Sequence, residues 1–270
     1  MSNLASRWFR SSVAGMLGPF QLIRNNRGLI WVLLKRDIES QTSGTVLGGI
    51  WVFAQPALQV LAFWFLLAVV LQVRMPGQLD FIDYFLMGML PWFFISGAIQ
   101  RNVMVLTEFS ALYQRSVFPI KLLPLVPLLF ITLIYALIWP LVTGILLGWH
   151  AAFWALVLVG LIAFWLVPVS YLLALLGLFV RDARQVIPFI LTMVMFLTPI
   201  LYVPQQLPES VRGLLVLNPF ADIMAIVHFF LQDLPITIGN IVRPVVFWFF
   251  LLGPAWTLFN RAEPHMREEL

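Results

Sequence analysis

Residues 122–180 read LLPLVPLLFITLIYALIWPLVTGILLGWHAAFWALVLVGLIAFWLVPVSYLLALLGLFV and contain no Asp, Glu, Lys or Arg. An α-helix rises about 1.5 Å per residue, so about 20 apolar residues cross the roughly 30 Å hydrocarbon core of a bilayer. This stretch is too long for one crossing. Gly148-Trp149-His150 interrupts it and predicts a tight turn between two spans. The stretch therefore predicts an all-α protein that crosses a membrane repeatedly.

The composition of the whole chain agrees with a lipid environment. Of its 270 residues, 61% are apolar and only 10% are charged, and the mean hydropathy is +0.96. Soluble domains average about 45–50% apolar and about 25% charged residues. The composition excludes a soluble enzyme and a disordered chain, and the absence of cysteine excludes a disulfide scaffold and a thiolate site.

A search for uncharged stretches predicts six spans in total. They lie near 49–73, 84–104, 122–147, 152–180, 186–202 and 244–260. Several contain proline, which membrane helices tolerate because neighbouring helices satisfy the freed backbone groups. We expect residues 1–48 to form a cytoplasmic N-terminus, 49–260 the transmembrane domain with an outer segment at 203–242, and 261–270 a cytoplasmic tail.

The distribution of lysine and arginine predicts the orientation, because these residues are retained on the cytoplasmic side. With six crossings and the N-terminus inside, thirteen of the sixteen cations fall in cytoplasmic segments. Arg74, Arg212 and Arg243 are the three that fall outside. Both termini are therefore expected in the cytoplasm. The same asymmetry explains the net charge of +4 without a nucleic-acid partner.

Two segments outside the spans are strongly apolar. Apolar residues between positions 20 and 34 recur at helical spacing. This pattern predicts an amphipathic helix on the inner membrane surface, or alternatively a helix packed on a partner protein. On the outer side, the apolar runs 211–217 and 223–231 predict two short re-entrant helices. Such helices are tolerated only where they pack on protein or line a cavity, which indicates transport.

The chemistry that other membrane proteins use is missing from the sequence. The only lysines, Lys35 and Lys121, do not follow a glycine-rich loop, so the chain has no P-loop. The uncharged cores of the spans offer no proton relay. His150 and His228 have no apparent partner in the sequence, and His265 is far from both. We expect no catalytic residue, metal or cofactor in this chain, and a passive pathway that a separate subunit powers.

Four motifs, in order, carry a family resemblance that covers roughly 29–231. They are Arg36-Asp37 followed by Ser40, Gly44, Val46-Leu47-Gly48, Trp51 and Pro56; Phe118 to Leu125 (FPIKLLPL); Arg181-Asp182; and Thr198 to Tyr202 (TPILY) with Leu207-Pro208 and Asn218-Pro219. The chain resembles the ABC-2-type permeases, and among them the polysaccharide exporters for O-antigen, teichoic acid and capsule. It departs from the family at Gln41-Thr42-Ser43, where basic and aromatic residues are common, and at His228, where arginine is frequent.

The resemblance implies an assembly and a substrate. Two copies of this chain would form the pathway in a bacterial inner membrane, and two copies of a separate ABC ATPase, which binds ATP and Mg²⁺, would dock on the cytoplasmic face. The substrate would be a polysaccharide on undecaprenyl diphosphate, moved from the inner to the outer leaflet, as in lipopolysaccharide synthesis. Membrane lipids are the remaining partners, and no nucleic acid is expected.

Three sets of candidate residues follow from this resemblance. The ATPase-coupling set, most of it in the inner loop 107–121, is Arg36, Asp37, Glu108, Tyr113, Arg115, Phe118, Pro119, Lys121, Arg181 and Asp182. The substrate-channel set is Trp51, Phe53, Trp64, Phe65, Phe196 and Tyr202, since the family lines its channel mainly with the first and fifth spans and sugars stack on aromatic rings. The outer-gate set is Pro204, Pro208, Leu214, Asn218, Pro219 and Ile226.

Each set has an alternative interpretation. The coupling loop can be an ordinary solvated loop, and the two Arg-Asp pairs can be local charge pairs or plain topology signals. The aromatic residues can serve lipid packing and interfacial belts, and the gate can be a cap that seals the dimer.

Alternatives for the whole protein are a capsule or teichoic acid permease, an ABC-2 permease for a small lipid or drug, a structural scaffold, and a membrane-embedded transferase. The transferase requires a polar catalytic cluster that the sequence does not offer.

Overall fold

The computed structural model describes residues 17–42, 48–73, 80–115 and 118–267, and every regular element in them is helical. Residues 17–25 are helical. The α-helices that follow are α1 Arg27–Thr42, α2 Trp51–Trp64, α3 Phe81–Glu108, α4 Ser110–Arg115, α5 Leu125–Leu147, α6 Trp149–Phe179, α7 Ala183–Leu197, α8 Glu209–Arg212, α9 Pro219–Gln232 and α10 Ile238–Ala262. A 3₁₀ turn, Gly48–Ile50, precedes α2, and a π-helical turn, Phe65–Val70, continues it. Further 3₁₀ turns are Ile120–Leu122, Pro204–Gln206, Gly213–Leu217 and His265–Arg267.

Five helical segments in the described part of the chain are long and apolar enough to cross a membrane. They are Gly48–Val70, Phe81–Leu112, Ile120–Leu147, Trp149–Phe179 and Ile238–Ala262. The sequence predicts a sixth span near 186–202, where the structure has α7. This helix contains 15 residues, about 22 Å, and ends at Leu197 because the backbone of Thr198 becomes extended ahead of Pro199. The sixth span stays a prediction.

The turn predicted at Gly148 is confirmed. Gly148 has a φ of 89° and a ψ of 174°, a conformation that a residue without a Cβ adopts readily, and it separates α5 from α6. Because the connection is so short, α5 and α6 fold back on each other and pack along their lengths. A Cβ placed on Gly144 would lie 3.3 Å from the Cβ of Ala152, which shows how close this packing is.

Helix α3 lies at the centre of the bundle and packs against α5, α6, α7 and α9. Most of its residues are buried, among them Phe85, Phe94 and Ile95. Its closest approach is to α6 at Gly177, where no room remains for a Cβ against the carbonyl of Val103. Helix α10 packs on α6 and α9 at the side of this core, and α1 packs on α5.

Helix α2 lies at the edge of the bundle instead. No residue of Trp51–Trp64 or of the turn that continues it is buried. Large side chains such as Leu58, Phe65 and Val70 are more than 50% exposed in the single chain. One side of the helix packs loosely on the core through residues such as Phe63 and Trp64, and the other side is left exposed in the described part of this chain.

Candidate functional site

At one end of the bundle, a buried ion pair joins α1 to α3. The carboxylate of Asp37, only 2% exposed, contacts the guanidinium of Arg101. The same guanidinium lies over the ring of Phe130 in α5, 5.1 Å from its centroid. We call this region the α1 end of the bundle. Three helices therefore meet at one arginine.

The burial of Asp37 affects its protonation. Desolvation raises the pKa of the carboxyl above its usual value, and the charge and hydrogen bond of Arg101 oppose that rise. The sequence suggests a local charge pair between Asp37 and Arg36, but the guanidinium of Arg36 lies 5.4 Å from the ring centroid of Phe109. The pairing with Arg101 is not evident from the sequence, because the two residues are 64 positions apart. The helix continues past Arg101 to Glu108 since Asp37 offsets its charge.

The other coupling residues occupy the same end with different exposures. Lys121 forms an ion pair with Glu263, at 3.0 Å from Nζ to Oε2, and its carbonyl oxygen accepts a hydrogen bond from the hydroxyl of Tyr171 at 2.8 Å. Phe118 is buried in the core of this chain and Pro119 is half-buried, so they position the loop rather than project from it. The exposed residues are Arg36, Glu108, Arg181 and Asp182. Tyr113 and Arg115 lie in α4, and their side chains fall outside the part that the structure describes.

The six channel residues lie on the first span, on α7 and, for Tyr202, in the segment that follows α7. Trp51, Phe53 and Phe65 of the first span and Phe196 of α7 are between 42% and 55% exposed in the single chain. Trp64 and Tyr202 are half-buried. Phe53 and Trp64 line one cavity beside α2, and Trp51 lines a second. The structure places these residues but does not test a channel, so their role stays a prediction.

At the opposite end of the bundle, which we call the α9 end, two of the sequence motifs meet. The side-chain amide of Asn218 donates to Thr198 Oγ1 at 2.9 Å and to the carbonyl of Leu197 at 3.3 Å. Its Oδ1 accepts from the backbone N–H of Phe220 at 3.0 Å and so caps α9, which begins at Pro219. The Thr-Pro and Asn-Pro motifs are therefore two halves of one hydrogen-bonded corner.

Tyr84 of α3 ties this corner to the core. Its hydroxyl lies within hydrogen-bond distance of the carbonyls of Pro199, at 3.2 Å, and Tyr202, at 3.0 Å. Its ring stacks on the imidazole of His228, with centroids 4.1 Å apart and planes 1° apart. Burial lowers the pKa of His228 to about 4, and the hydrogen bond from Nδ1 to Gln232, 2.7 Å long, opposes this only in part. The expectation that His228 lacks partners is wrong, although a glutamine four residues later on a helix could have indicated one.

A second buried carboxylate joins α9 to α10. Asp222, 2% exposed, accepts hydrogen bonds from Arg243 Nε and from the side-chain amide of Asn240, each at 2.8 Å. Asn240 also completes a capping box with Thr237 at the start of α10. In the sequence Arg243 is evident only as a cation of the predicted outer side, because its partner Asp222 lies on a different helix.

The remaining gate residues surround these contacts. Pro204 begins a 3₁₀ turn, and the carbonyl of Pro208 accepts from the N–H of Arg212 at 2.9 Å. Leu214 is 61% exposed, whereas Ile226 is half-buried against the core. The short helices predicted for this segment are present as α8, the 3₁₀ turn Gly213–Leu217 and α9. Their re-entry into a membrane stays a prediction.

Comparisons with known proteins agree with these motifs. Residues 28–230 match the model of the ABC-2 type transporter family. A protein of Myxococcus xanthus named "O-antigen export system permease protein RfbA" is 29% identical over 206 residues, which cover 73% of this chain and 78% of that protein. Two proteins of the same name from Klebsiella pneumoniae are 23% and 22% identical over 206 residues, covering 73% of this chain and 77% of each relative.

Proposed function

Since this chain belongs to the ABC-2 type transporter family, we propose that it is the transmembrane subunit of an ATP-driven polysaccharide exporter. It moves an O-antigen-type glycan, carried on undecaprenyl diphosphate, from the inner to the outer leaflet of a bacterial inner membrane. The observation that carries the proposal is the similarity over 206 residues to proteins named O-antigen export permeases. The chain itself transports and does not hydrolyse ATP.

The proposed topology has six crossings with both termini in the cytoplasm. Five are the long helices, and the sixth is α7 continued by the Thr198–Tyr202 corner. The α1 end is then cytoplasmic and the α9 end faces outward. On α1, Leu33 and Leu34 are buried against the bundle while Trp31 and Val32 are exposed, which suits a helix lying in the inner interface. Helices α8 and α9 re-enter from the outer side.

Two copies of the chain enclose the pathway. The support for this is the exposed apolar surface of α2 and α7, which carries Trp51, Phe53, Phe65 and Phe196. Aromatic faces there would hold successive sugars of a repeating polymer without recognising their sequence. The hydrogen-bonded corner at Asn218, with Pro204 and Pro208 beside it, would close the outer mouth of this pathway.

An ABC ATPase, with ATP and Mg²⁺ bound to it, docks on the cytoplasmic end of each copy. The exposed charges of Glu108, Arg181 and Asp182 offer contacts for it. The buried contact between Asp37 and Arg101 passes a movement of α1 into α3, the central helix. When the two ATPase subunits close on each other, the movement is passed to the pathway through the ion pair of Asp37 and Arg101 and then through α3.

The proposal is tested in the bacterium that makes the protein. Deletion of the chain should abolish surface glycan and accumulate lipid-linked glycan on the inner leaflet, while the tagged chain should co-purify with an equal amount of a P-loop ATPase. The charge swap Asp182→Lys should lower that co-purification, whereas Glu209→Lys on the outer side should not. Unchanged surface glycan after deletion, or a tagged chain without an ATPase, would overturn the proposal.

A further inference from the structure

A groove runs between α2, α3 and α5, and it consists of two connected cavities. One, of about 570 Å³, lies toward the α9 end, and the other, of about 300 Å³, lies toward the α1 end. Pro56 and Tyr135 line both cavities. Volumes of this size are typical of sites that bind small ligands.

The groove is as long as a bilayer core is thick. Along α3 its lining residues run from Ile82 to Met104, and along α5 from Phe130 to Val142. The 19 helical positions from Ile82 to Arg101 span about 29 Å, close to the roughly 30 Å of the hydrocarbon core. Helix α2 crosses the groove without filling it, since none of its residues is buried.

The two halves of the groove differ in chemistry. The half toward the α9 end is lined by aliphatic and aromatic side chains, among them Leu86, Leu90, Ile138 and Val142. The half toward the α1 end is mixed, since it adds polar side chains to apolar ones such as Val52, Phe130 and Ile131; the polar ones are Gln55, Gln59, Ser96, Gln100 and Arg101. None of the described residues that line either half is Asp or Glu.

Arg101 offers hydrogen-bond donors at the α1 end of the groove, where Asp37 offsets its charge. A guanidinium has five N–H donors, and the contact to Asp37 uses one side of it. The Nε of Arg101 is buried and has no hydrogen-bond partner among the described residues. Asp37 lies behind the arginine and does not line the groove. A phosphate or diphosphate suits this end, because it brings several acceptor oxygens to a planar cation.

We propose that this groove binds the lipid carrier: a polyprenyl diphosphate whose diphosphate lies at Arg101, Gln100 and Gln59 and whose isoprenoid chain follows the apolar half. The proposal rests on the function proposed above and names the site for the lipid part of its substrate. An ordinary phospholipid chain reaches across one leaflet, about 15 Å, whereas the groove continues for about twice that length. The site lies beside Trp51, Phe53 and Trp64, so the anchor is held next to the predicted glycan channel.

Photo-crosslinking of the full chain in lipid nanodiscs tests the binding directly. The probe is undecaprenyl diphosphate with a diazirine on its isoprenoid chain. Adducts are expected on the groove-facing residues of α3 between 82 and 90 and of α5 between 135 and 142. Unlabelled undecaprenyl diphosphate should compete, whereas added phosphatidylglycerol should not. Competition by phosphatidylglycerol to the same degree would overturn the proposal, because the groove would then hold any phospholipid.

Two pairs of variants locate the site. Ile138→Trp fills the apolar half, and Leu137→Trp, the adjacent residue that is 65% exposed and does not line the groove, is its control. Gln100→Glu places a carboxylate beside the diphosphate, and Gln185→Glu, exposed at the start of α7, is its control. Each groove variant should lower labelling by about tenfold or more. Gln100→Glu loses a hydrogen bond to a charged group, and the indole of Ile138→Trp occupies the volume that the isoprenoid chain needs. Equal labelling of a groove variant and its control would overturn the proposal, as would crosslinks showing that the α2 of a second copy fills the groove.

The result is separable from that of the export experiment. If deletion abolishes surface glycan and the ATPase co-purifies but the groove is not labelled, the lipid site is wrong and the exporter assignment stands. If the groove is labelled and competed as expected while deletion leaves surface glycan unchanged, the lipid site is supported and the exporter assignment falls.

Discussion

Helices α2 and α3 are neighbours in the chain and in the bundle, yet they have opposite surroundings. Helix α2 contains no charged residue and buries none of its side chains in this chain. Helix α3 contains Asp83, Arg101 and Glu108, and most of its residues are buried. The difference teaches that apolar composition identifies a helix as membrane-embedded but does not say whether protein or lipid surrounds it. The less apolar of the two is the one that the protein encloses.

One reason lies in three polar side chains of α3 that have partners elsewhere in the chain. Arg101 contacts Asp37, the amide of Asn102 donates to Ser170 Oγ at 3.1 Å, and Tyr84 reaches the carbonyl of Tyr202. In lipid these groups would be unsatisfied, at a cost of several kcal/mol each. Helix α2 has no such requirement, so its surface is left for a second copy or a lipid.

The largest expected effect comes from removing the charge partner of α3. Arg101→Met should lower the free energy of unfolding by about 3–5 kcal/mol, because the buried carboxyl of Asp37 loses its arginine. The measurement is denaturant unfolding in mixed micelles. The double variant Asp37→Leu with Arg101→Met should recover most of the loss, and Arg184→Met, exposed on α7, should stay within about 0.5 kcal/mol of the parent. A small loss in Arg101→Met would show that α3 does not depend on this pair.

The pH dependence of the same variant has a definite sign. Burial raises the pKa of Asp37 above its usual 3.8 and Arg101 opposes the rise, so the pKa is higher still without the arginine. A raised pKa means that the folded state favours the protonated carboxyl. Arg101→Met should therefore be most stable below about pH 4 and should lose stability as the pH rises through the folded-state pKa of Asp37.

The next effect concerns the packing between α3 and α6. Gly177→Ala should cost about 3 kcal/mol, because the added Cβ meets the backbone of Val103 and neither helix can move freely. Gly160→Ala on the same helix is the matched control, since its Cβ meets nothing within 4 Å. The control should be neutral or stabilising by up to about 1 kcal/mol. Equal thermal stability of the two variants would contradict the central position of α3.

A smaller effect is expected at His228, which stacks on Tyr84 of α3. The folded-state pKa of His228 is lowered from 6.5 to about 4, so the folded protein favours the neutral ring. Its contribution to stability is complete above pH 6.5 and is lost as the pH falls toward 4, by about 1–3 kcal/mol. His228→Gln should remove this slope in pH-dependent unfolding, whereas His265→Gln, at an exposed position, should retain it. A slope that survives His228→Gln would assign it to another group.

The smallest effect is expected for a substitution in α2, which lies at the edge of the bundle. Leu58→Ala should change the free energy of unfolding of the dispersed single chain by less than about 0.5 kcal/mol, since the side chain is 56% exposed. Leu128→Ala in α5, where the leucine is 3% exposed, should cost about 2–5 kcal/mol. Unfolding of the chain at low concentration in detergent checks both. A loss at Leu58 comparable to that at Leu128 would mean that α2 packs into the bundle after all.

Much of the fold could be predicted from the sequence, because helices and turns depend mainly on residues that are close together in the chain. The 59 uncharged residues around Gly148 predicted two helices and their turn, and the structure has both. Charge alone was a poor guide to helix ends: α3 continues through Arg101 because a partner 64 residues away offsets its charge. Likewise α7 ends at Leu197, where the carbonyl of Leu197 accepts a hydrogen bond from the side-chain amide of Asn218.

The candidate sites were predictable only as motifs. The Thr-Pro and Asn-Pro motifs were found separately, but that Asn218 joins them depends on folding. Tyr84 and His228 are 144 positions apart, so no spacing rule could pair them. The roles predicted for the channel and coupling residues involve a proposed second copy and a proposed ATPase, so they stay predictions.

The partners of α3 also set an order of events during synthesis. Of the polar partners named above, Asp37 alone precedes α3 in the chain, whereas Ser170, Tyr202 and His228 all follow it. The roughly 120 residues between the end of α3 and His228 take on the order of 10 s to translate. Arg101 has its carboxylate from the start of that interval, whereas Asn102 gains Ser170 about halfway through it and Tyr84 gains Tyr202 and then His228 toward its end. The polar contacts of α3 therefore form in sequence, as α6 and then α9 are made.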